Sequence, residues 1–147
     1  MIDHEQKPEY LEFANRVLGV RFDPRDAVTI ASVLDGGVAG VTVYNRISKW
    51  NCEMSVASVS PRFLGKDYLK AVFRYPFIQC GMKCVYAVAE ISNKRAIEFN
   101  MRVGFEPKSI LEDWFGDQDG VLLYMKSSNC RWIDEKRTPR ASLVHAA

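Results

Sequence analysis

Apolar and polar positions along this 147-residue chain follow two alternating periods. From Pro8 to Leu18, Tyr10, Leu11, Ala14, Val17 and Leu18 recur at helical spacing with Glu9, Glu12 and Arg16 between them, which predicts an amphipathic helix. After Pro24 the period shortens. Two β-rich runs, AVTIASVL from Ala27 and VAGVTVYNRI from Val38, flank Asp35-Gly36-Gly37, whose permissive backbone suits a tight antiparallel reversal. A third run, CEMSVASVS from Cys52, ends at Pro61.

The spacing then becomes helical again through Leu69, Val72, Phe73 and Phe77, with Pro76 inside the pattern. Proline has no amide hydrogen and crowds the carbonyl four residues earlier, so a kink or an early stop is expected there. The run CVYAVAE reads as a buried strand, and SNKRAIEFNMRVGF as a helix that starts near Ser92 or Asn93 and closes near Gly104. SILEDWF and VLLYMK around GDQDG read as a second hairpin. One domain over residues 1–126 follows, with 127–147 as a C-terminal appendage that lacks a periodic face.

Composition narrows the function classes. With 20 basic and 18 acidic residues, the charge is too balanced to argue for nucleic acid, which requires a basic face. Charges scattered through the first thirty residues leave no signal-like apolar stretch, and no later run reaches spanning length, so no membrane association and a cytoplasmic location are expected. The cysteines Cys52, Cys80, Cys84 and Cys130 form no Cys-x-x-Cys pair, and His4 and His145 lie at the two ends, so neither a metal site nor a Cys-His nucleophile is expected.

The segment VASVSPRFLGKDYLKAV takes a strand through a Gly-containing turn into a helix start. The first amides of a helix lack intrahelical acceptors and carry partial positive charge, so Leu64 to Tyr68 could donate to a pyrophosphate, helped by Lys66. The plainer alternative is that Gly65 permits an ordinary turn and Asp67 caps the helix.

The chain resembles the GCN5-related N-acetyltransferases over about residues 27–126, especially the branch that acetylates ribosomal proteins and N-terminal amines. The residues that carry the resemblance are Asn93, Ala96, Phe99, Gly104 and Phe105, which match a strand followed by Asn-x-x-Ala, an aromatic position and Gly-Phe. Arg62 and Gly65 match two key positions of the family's pyrophosphate turn, whereas Asp67 stands where glycine or alanine is usual. The resemblance implies an α/β (α+β) fold: a mixed, mostly antiparallel sheet with flanking helices and a splayed parallel pair, here Glu53 to Ser60 and Cys84 to Glu90. It also implies acetyl-CoA as acyl donor, held by Val59, Ser60, Arg62, Leu64, Gly65, Lys66, Asp67, Tyr68, Asn93, Ala96, Phe99 and Asn100.

Direct transfer needs a neutral amine, and Glu53, placed like the family's strand-borne glutamate, is the candidate base, with Glu90 as a weaker alternative. A solvated strand glutamate is the plainer reading of Glu53. Where many relatives carry a tyrosine that protonates the thiolate, this chain has Asn100, which cannot act as an acid. Asn93 could cap its helix, contact the cofactor's arm, or do both. Phe99, Phe105 and Trp114 read as packing residues. The acceptor expected is an amine: a protein N-terminus, a lysine or a small amine. A homodimer is left open, and the alternative to an enzyme is a noncatalytic binding or assembly module that keeps the fold.

Overall fold

The computed structural model describes residues 1–59 and 64–133. The elements are β1 (Ile2–Asp3), α1 (Pro8–Leu18), β2 (Val28–Leu34), β3 (Gly37–Asn45), β4 (Asn51–Ser58), α2 (Lys66–Arg74), β5 (Cys84–Glu90), α3 (Lys94–Val103), β6 (Glu106–Leu111) and β7 (Gly120–Lys126). They form a seven-stranded sheet in the order β1-β2-β3-β4-β5-β7-β6. Every neighbouring pair is antiparallel except β4 and β5.

The β2–β3 reversal uses Asp35 and Gly36 at φ 52° and 78°, the positive values that a two-residue turn matched to strand twist requires. Helix α1 begins with Pro8 at its first turn and stops at Gly19, whose φ of 69° is the usual left-handed terminator. It buries Tyr10, Phe13 and Ala14 against Ala31, Val41, Val43 and Ala57 on one face of the sheet. On the opposite face, α2 and α3 cover a larger core that includes Phe73, Phe77, Val85, Phe105, Leu123 and Met125.

Pro76 acts as its chemistry requires. The α-helix ends at Arg74 and widens into a π turn over Tyr75–Gln79, closed by the Cys80 amide donating to the Tyr75 carbonyl at 3.0 Å. The carbonyl that Pro76 leaves without its i+4 donor belongs to Val72. The buried Tyr44 hydroxyl donates to that oxygen at 2.6 Å. A side chain from the sheet thus supplies the bond that the helix cannot make.

At the sheet's first edge, the Asp3 carboxylate accepts from the Tyr10 hydroxyl at 2.5 Å and from the Glu5 amide at 3.0 Å, and it pairs with Lys7 at 3.3 Å. Gln6 extends the ladder past β1: its side-chain amide accepts from the Thr29 N–H at 2.8 Å and donates to the Thr29 carbonyl at 2.9 Å. Past β7, Arg131 Nη2 donates to the Arg102 carbonyl at 2.6 Å and Trp132 Nε1 to the Val103 carbonyl at 2.8 Å. These bonds satisfy carbonyls at the end of α3 that have no helical partner. The start of the expected appendage is therefore packed onto α3, while Lys136, Arg137 and Arg140 lie outside the described residues.

Two expectations are corrected. The strand expected over 109–115 runs instead over Glu106–Leu111, because Asp113 at φ 56° and Gly116 at φ 84° turn the chain. Trp114 consequently lies in a loop, 54% exposed, and is not a core residue. Among the described residues no helix is long and apolar enough to cross a membrane.

Tyr44→Phe should leave the Val72 carbonyl buried without a donor and cost about 1–3 kcal/mol in urea unfolding, more than a typical exposed tyrosine. The Tyr10 hydroxyl, then the Glu5 amide and Lys7, hold the Asp3 carboxyl below its ordinary value of 3.8. A depressed carboxyl contributes stability above the unfolded value and loses it as pH falls through the folded one. The stability gap between wild type and Asp3→Asn should therefore be full at pH 6 and shrink below 3.8, as read from urea midpoints across pH.

Candidate functional site

The site starts from an interruption in the sheet. β4 and β5 pair in parallel at only three positions, Asn51 with Cys84, Cys52 with Val85 and Glu53 with Tyr86. Beyond these, β4 stays zipped to β3 as far as Ser58 with Gly40, and β5 to β7 as far as Glu90 with Gly120. The two halves of the sheet part between them. Alternate backbone N–H and C=O groups of residues 54–58 and 87–90 thus face a gap where a ladder would otherwise run. Such groups call for partners.

The gap opens into a groove of about 1160 Å³. Its walls include Val17 to Asp23 at and beyond the end of α1, Trp114 and Phe115 from the β6–β7 loop, and one side of α3. The aromatic wall is pinned because Gly120 has no side chain: a Cβ there would lie 2.9 Å from Val88 Cγ1 and 3.1 Å from the Trp114 Cβ. Among the candidate residues, Glu53, Val59, Leu64, Ala96, Phe99 and Asn100 line this groove together, as does Glu90. A narrow apolar side cavity of about 10 Å³, with room for about one water, continues below Met54, Leu64, Phe99 and Asn100.

Helix α2 starts at the mouth of the gap. Gly65 is its N-cap, no side chain caps it, and the first in-helix bond is from the Leu69 amide to the Gly65 carbonyl at 3.1 Å. The amides of Lys66, Asp67 and Tyr68 therefore have no intrahelical acceptor, the donor set that suits a pyrophosphate. Lys66 and Asp67 are both exposed, and Asp67 does not act as the cap that the sequence suggested. Val59 is 66% exposed, and its amide donates to the Ala39 carbonyl. Ser60 and Arg62 lie outside the described residues.

Tyr68 can contribute only its backbone. Its ring is buried, and its hydroxyl donates to the Ile30 carbonyl at 3.0 Å and contacts Thr42 Oγ1 at 2.8 Å. Asn93 takes the capping role, its Oδ1 accepting from the Ala96 amide at 3.1 Å. Asn100 Nδ2 donates back to the Ala96 carbonyl at 2.9 Å, so the side chain is anchored to its own helix while its flank lines the groove.

Glu53 sits with its side chain 19% exposed, and its Oε1 accepts from Arg46 Nε at 2.9 Å. Arg46 was not singled out from the sequence, and neither was Asn45. Asn45 stands directly across from Glu53 in the β3–β4 register, so both side chains emerge on one face. The signal lay in the pairing register, which only a folded sheet reveals. The Asn45 Oδ1 is shielded from solvent and has no hydrogen-bond partner among the described residues.

Burial pushes the Cys52 thiol up to about 12, which keeps it protonated near neutrality and unsuited to nucleophilic attack. Among the described residues no group of three or more His, Cys, Asp or Glu side chains is placed to hold a metal ion.

No family model matches the chain, and no curated protein matches its sequence. Solved structures do. A protein named for the GNAT acetyltransferase family from Desulfovibrio desulfuricans is 15% identical with a TM-score of 0.66, over 86% of this chain and 98% of that one. The spermidine/spermine N-acetyltransferase SpeG from Vibrio cholerae is 14% identical with a TM-score of 0.63, over 87% and 92%. The Campylobacter jejuni N-acetyltransferase PseH, solved with acetyl coenzyme A, is 18% identical with a TM-score of 0.53, over 69% and 68%. The fold is that of the GNAT acetyltransferases.

Burial also sets thiol reactivity: Cys80 is exposed, whereas Cys52, Cys84 and Cys130 are buried. Titration of the native protein with a disulfide reagent should modify Cys80 rapidly and the other three only on unfolding, with the modified site read by peptide mass.

Proposed function

We propose that this protein is an acyl-CoA-dependent N-acyltransferase that moves an acetyl group from acetyl-CoA to a primary amine by direct attack. The observation that carries the proposal is the parting of β4 and β5 after Glu53 and Tyr86, with the uncapped start of α2 beside it. Backbone groups along the gap suit the amide-bearing arm of the donor, and the first-turn amides of α2, which have no acceptor within the helix, suit its pyrophosphate. Gly65 and Lys66 belong to the same cradle in this reading, with Asn93, Ala96, Phe99 and Asn100 on its α3 side, and Ser60 and Arg62 are assigned to donor binding from the sequence resemblance alone. The named acetyltransferases that share the fold support the class of reaction. Nothing in that likeness singles out the ribosomal-protein and N-terminal-amine branch, so the proposal stands at the level of amine acetylation.

In this reading, Glu53 takes a proton from the acceptor ammonium, directly or through a water, and the freed nitrogen lone pair attacks the thioester carbonyl. The C–N bond forms, the C–S bond breaks, and the sulfur leaves as thiolate. No tyrosine stands at Asn100 to return a proton, so water supplies it. The products are the N-acetyl amine and CoA thiol, with one proton released.

Calorimetric titration with acetyl-CoA and with desulfo-CoA, which cannot exchange with Cys80, tests the donor site. Saturable binding of both is expected, and no binding at millimolar ligand would leave the noncatalytic assembly reading in its place. With an acceptor in hand, Glu53→Gln should cut kcat by about 100-fold and leave donor affinity unchanged. Asp67→Asn should tighten donor binding several-fold by removing a carboxylate next to the pyrophosphate cradle, and the gain should shrink with added salt.

A further inference from the structure

Spermidine acetyltransferases share this fold, yet three of the five carboxylates that line this groove, Asp23, Asp26 and Glu53, are already engaged within the chain, the other two being Glu90 and Glu98. Asp23 gives one oxygen to the Arg25 amide and Nε, at 2.9 and 3.2 Å, and the other to Nη2 at 3.1 Å. Asp26 Oδ2 accepts from the backbone amide of Arg46 at 3.2 Å, and Glu53 Oε1 from Arg46 Nε. A polycation entering beside Glu53 would meet three carboxylates that already have partners, and a guanidinium beside the candidate base.

What remains unengaged is a small set of opposite character. Arg46 has a side chain 63% exposed, and among the described residues its one hydrogen bond to a side chain runs from Nε, which leaves the Nη1 and Nη2 donors without one. Its backbone sits at φ 52°, held by Asp26, so its attachment is fixed at the groove wall. Next to it are two acceptors, Glu53 Oε2 and the shielded, partnerless Oδ1 of Asn45. The guanidinium touches Glu53 at 2.9 Å, and Asn45 stands across from the same Glu53 in the strand register, so a donor fork and two acceptor side chains share one stretch of the groove wall.

Resting on the transferase reading, we infer that the acceptor is an α-amino acid, with its ammonium bound by Glu53 and Asn45 and its carboxylate by the Nη pair of Arg46. The two charges of an amino acid are separated by one carbon, which matches donors and acceptors that touch. A guanidinium fork binds a carboxylate through two parallel bonds, which gives geometric selection as well as attraction. The orphaned Asn45 oxygen gains the N–H donor it lacks, and this removes a cost the free protein carries. The reaction is unchanged: Glu53 removes the ammonium proton, the C–N bond forms and the C–S bond breaks. Arg46 and Asn45 set which amine is presented.

The test uses amines that share one side chain: phenylalanine, phenylalaninamide and phenethylamine, with spermidine beside them. An aromatic side chain suits the wall of Phe22, Trp114 and Phe115. The expected result is kcat/KM for phenylalanine roughly tenfold or more above each of the others, in line with a charged hydrogen-bonded pair. Arg46→Gln should erase that margin, and Arg46→Lys should restore part of it. Equal or faster turnover of phenethylamine or spermidine by the wild type overturns the inference, as does an Arg46→Gln variant that slows all four alike.

If acetyl-CoA itself does not bind, the transferase reading has failed, and the acceptor inference is then judged from calorimetry of phenylalanine against phenethylamine on the full-length protein. An Arg46-dependent preference for phenylalanine upholds the inference, whereas equal binding, or none, overturns it.

Discussion

Everything that concerns function in this molecule follows from where the parallel hydrogen bonds of β4 and β5 stop. Each strand is committed along its whole outer flank, β4 to β3 and β5 to β7, so the sheet behaves as two ladders hinged at three residue pairs. Twist alone turns neighbouring strands by about 20–25°. With no further bond between the ladders, their ends separate and expose main-chain groups in the middle of the sheet. An interior edge of this kind is a hazard when left bare and an asset when a ligand with amide groups completes it.

The helices convert that opening into a directed site. α2 leaves β4 and α3 leaves β5, and both lie on the same face, so their starts converge near the parting ends of the strands. Both starts are built differently. Asn93 caps α3 and satisfies the Ala96 amide, whereas α2 begins on Gly65, which has no side chain to cap it. A glycine at that position costs only a few tenths of a kcal/mol relative to a capping side chain. The sheet offsets this through Tyr44 and Tyr68, whose hydroxyls anchor the end and the beginning of the same helix.

Much of this was legible from local patterns. The bounds of α1 from Pro8 to Leu18 and of β5 from Cys84 to Glu90 coincide with the apolar periods, because those elements are amphipathic or fully buried and their edges carry strong terminators. The Asp35-Gly36 reversal and the Asn93 and Gly104 ends of α3 were equally plain, since each rests on a backbone preference of one residue. What local patterns could not show depended on distant partners. Trp114 looked like a strand residue until Asp113 and Gly116 turned the chain before it could pair. The Arg46–Glu53 contact and the isolated Asn45 oxygen arise only from antiparallel register, which places residues eight apart in sequence side by side. Glu53 was found because it lies inside a recognisable strand, and its neighbours were missed because a loop residue and a strand-end asparagine carry no periodic signal.

The strand order has a further consequence, for how the chain comes off the ribosome. β7 is the last strand among the described residues, yet it lies inside the sheet, between β5 and β6. Until Gly120 to Lys126 emerges, β5 has a neighbour at only three positions and β6 has none, so half the sheet waits on the final strand. Residues 1–58 can close their own hairpins early, while the second ladder assembles only once its central strand is inserted. From the completion of β5 at Glu90 until β7 ends at Lys126, the nascent chain therefore carries an open strand edge, joined by those of β6 after Leu111, a state that favours rapid late closure over stepwise assembly.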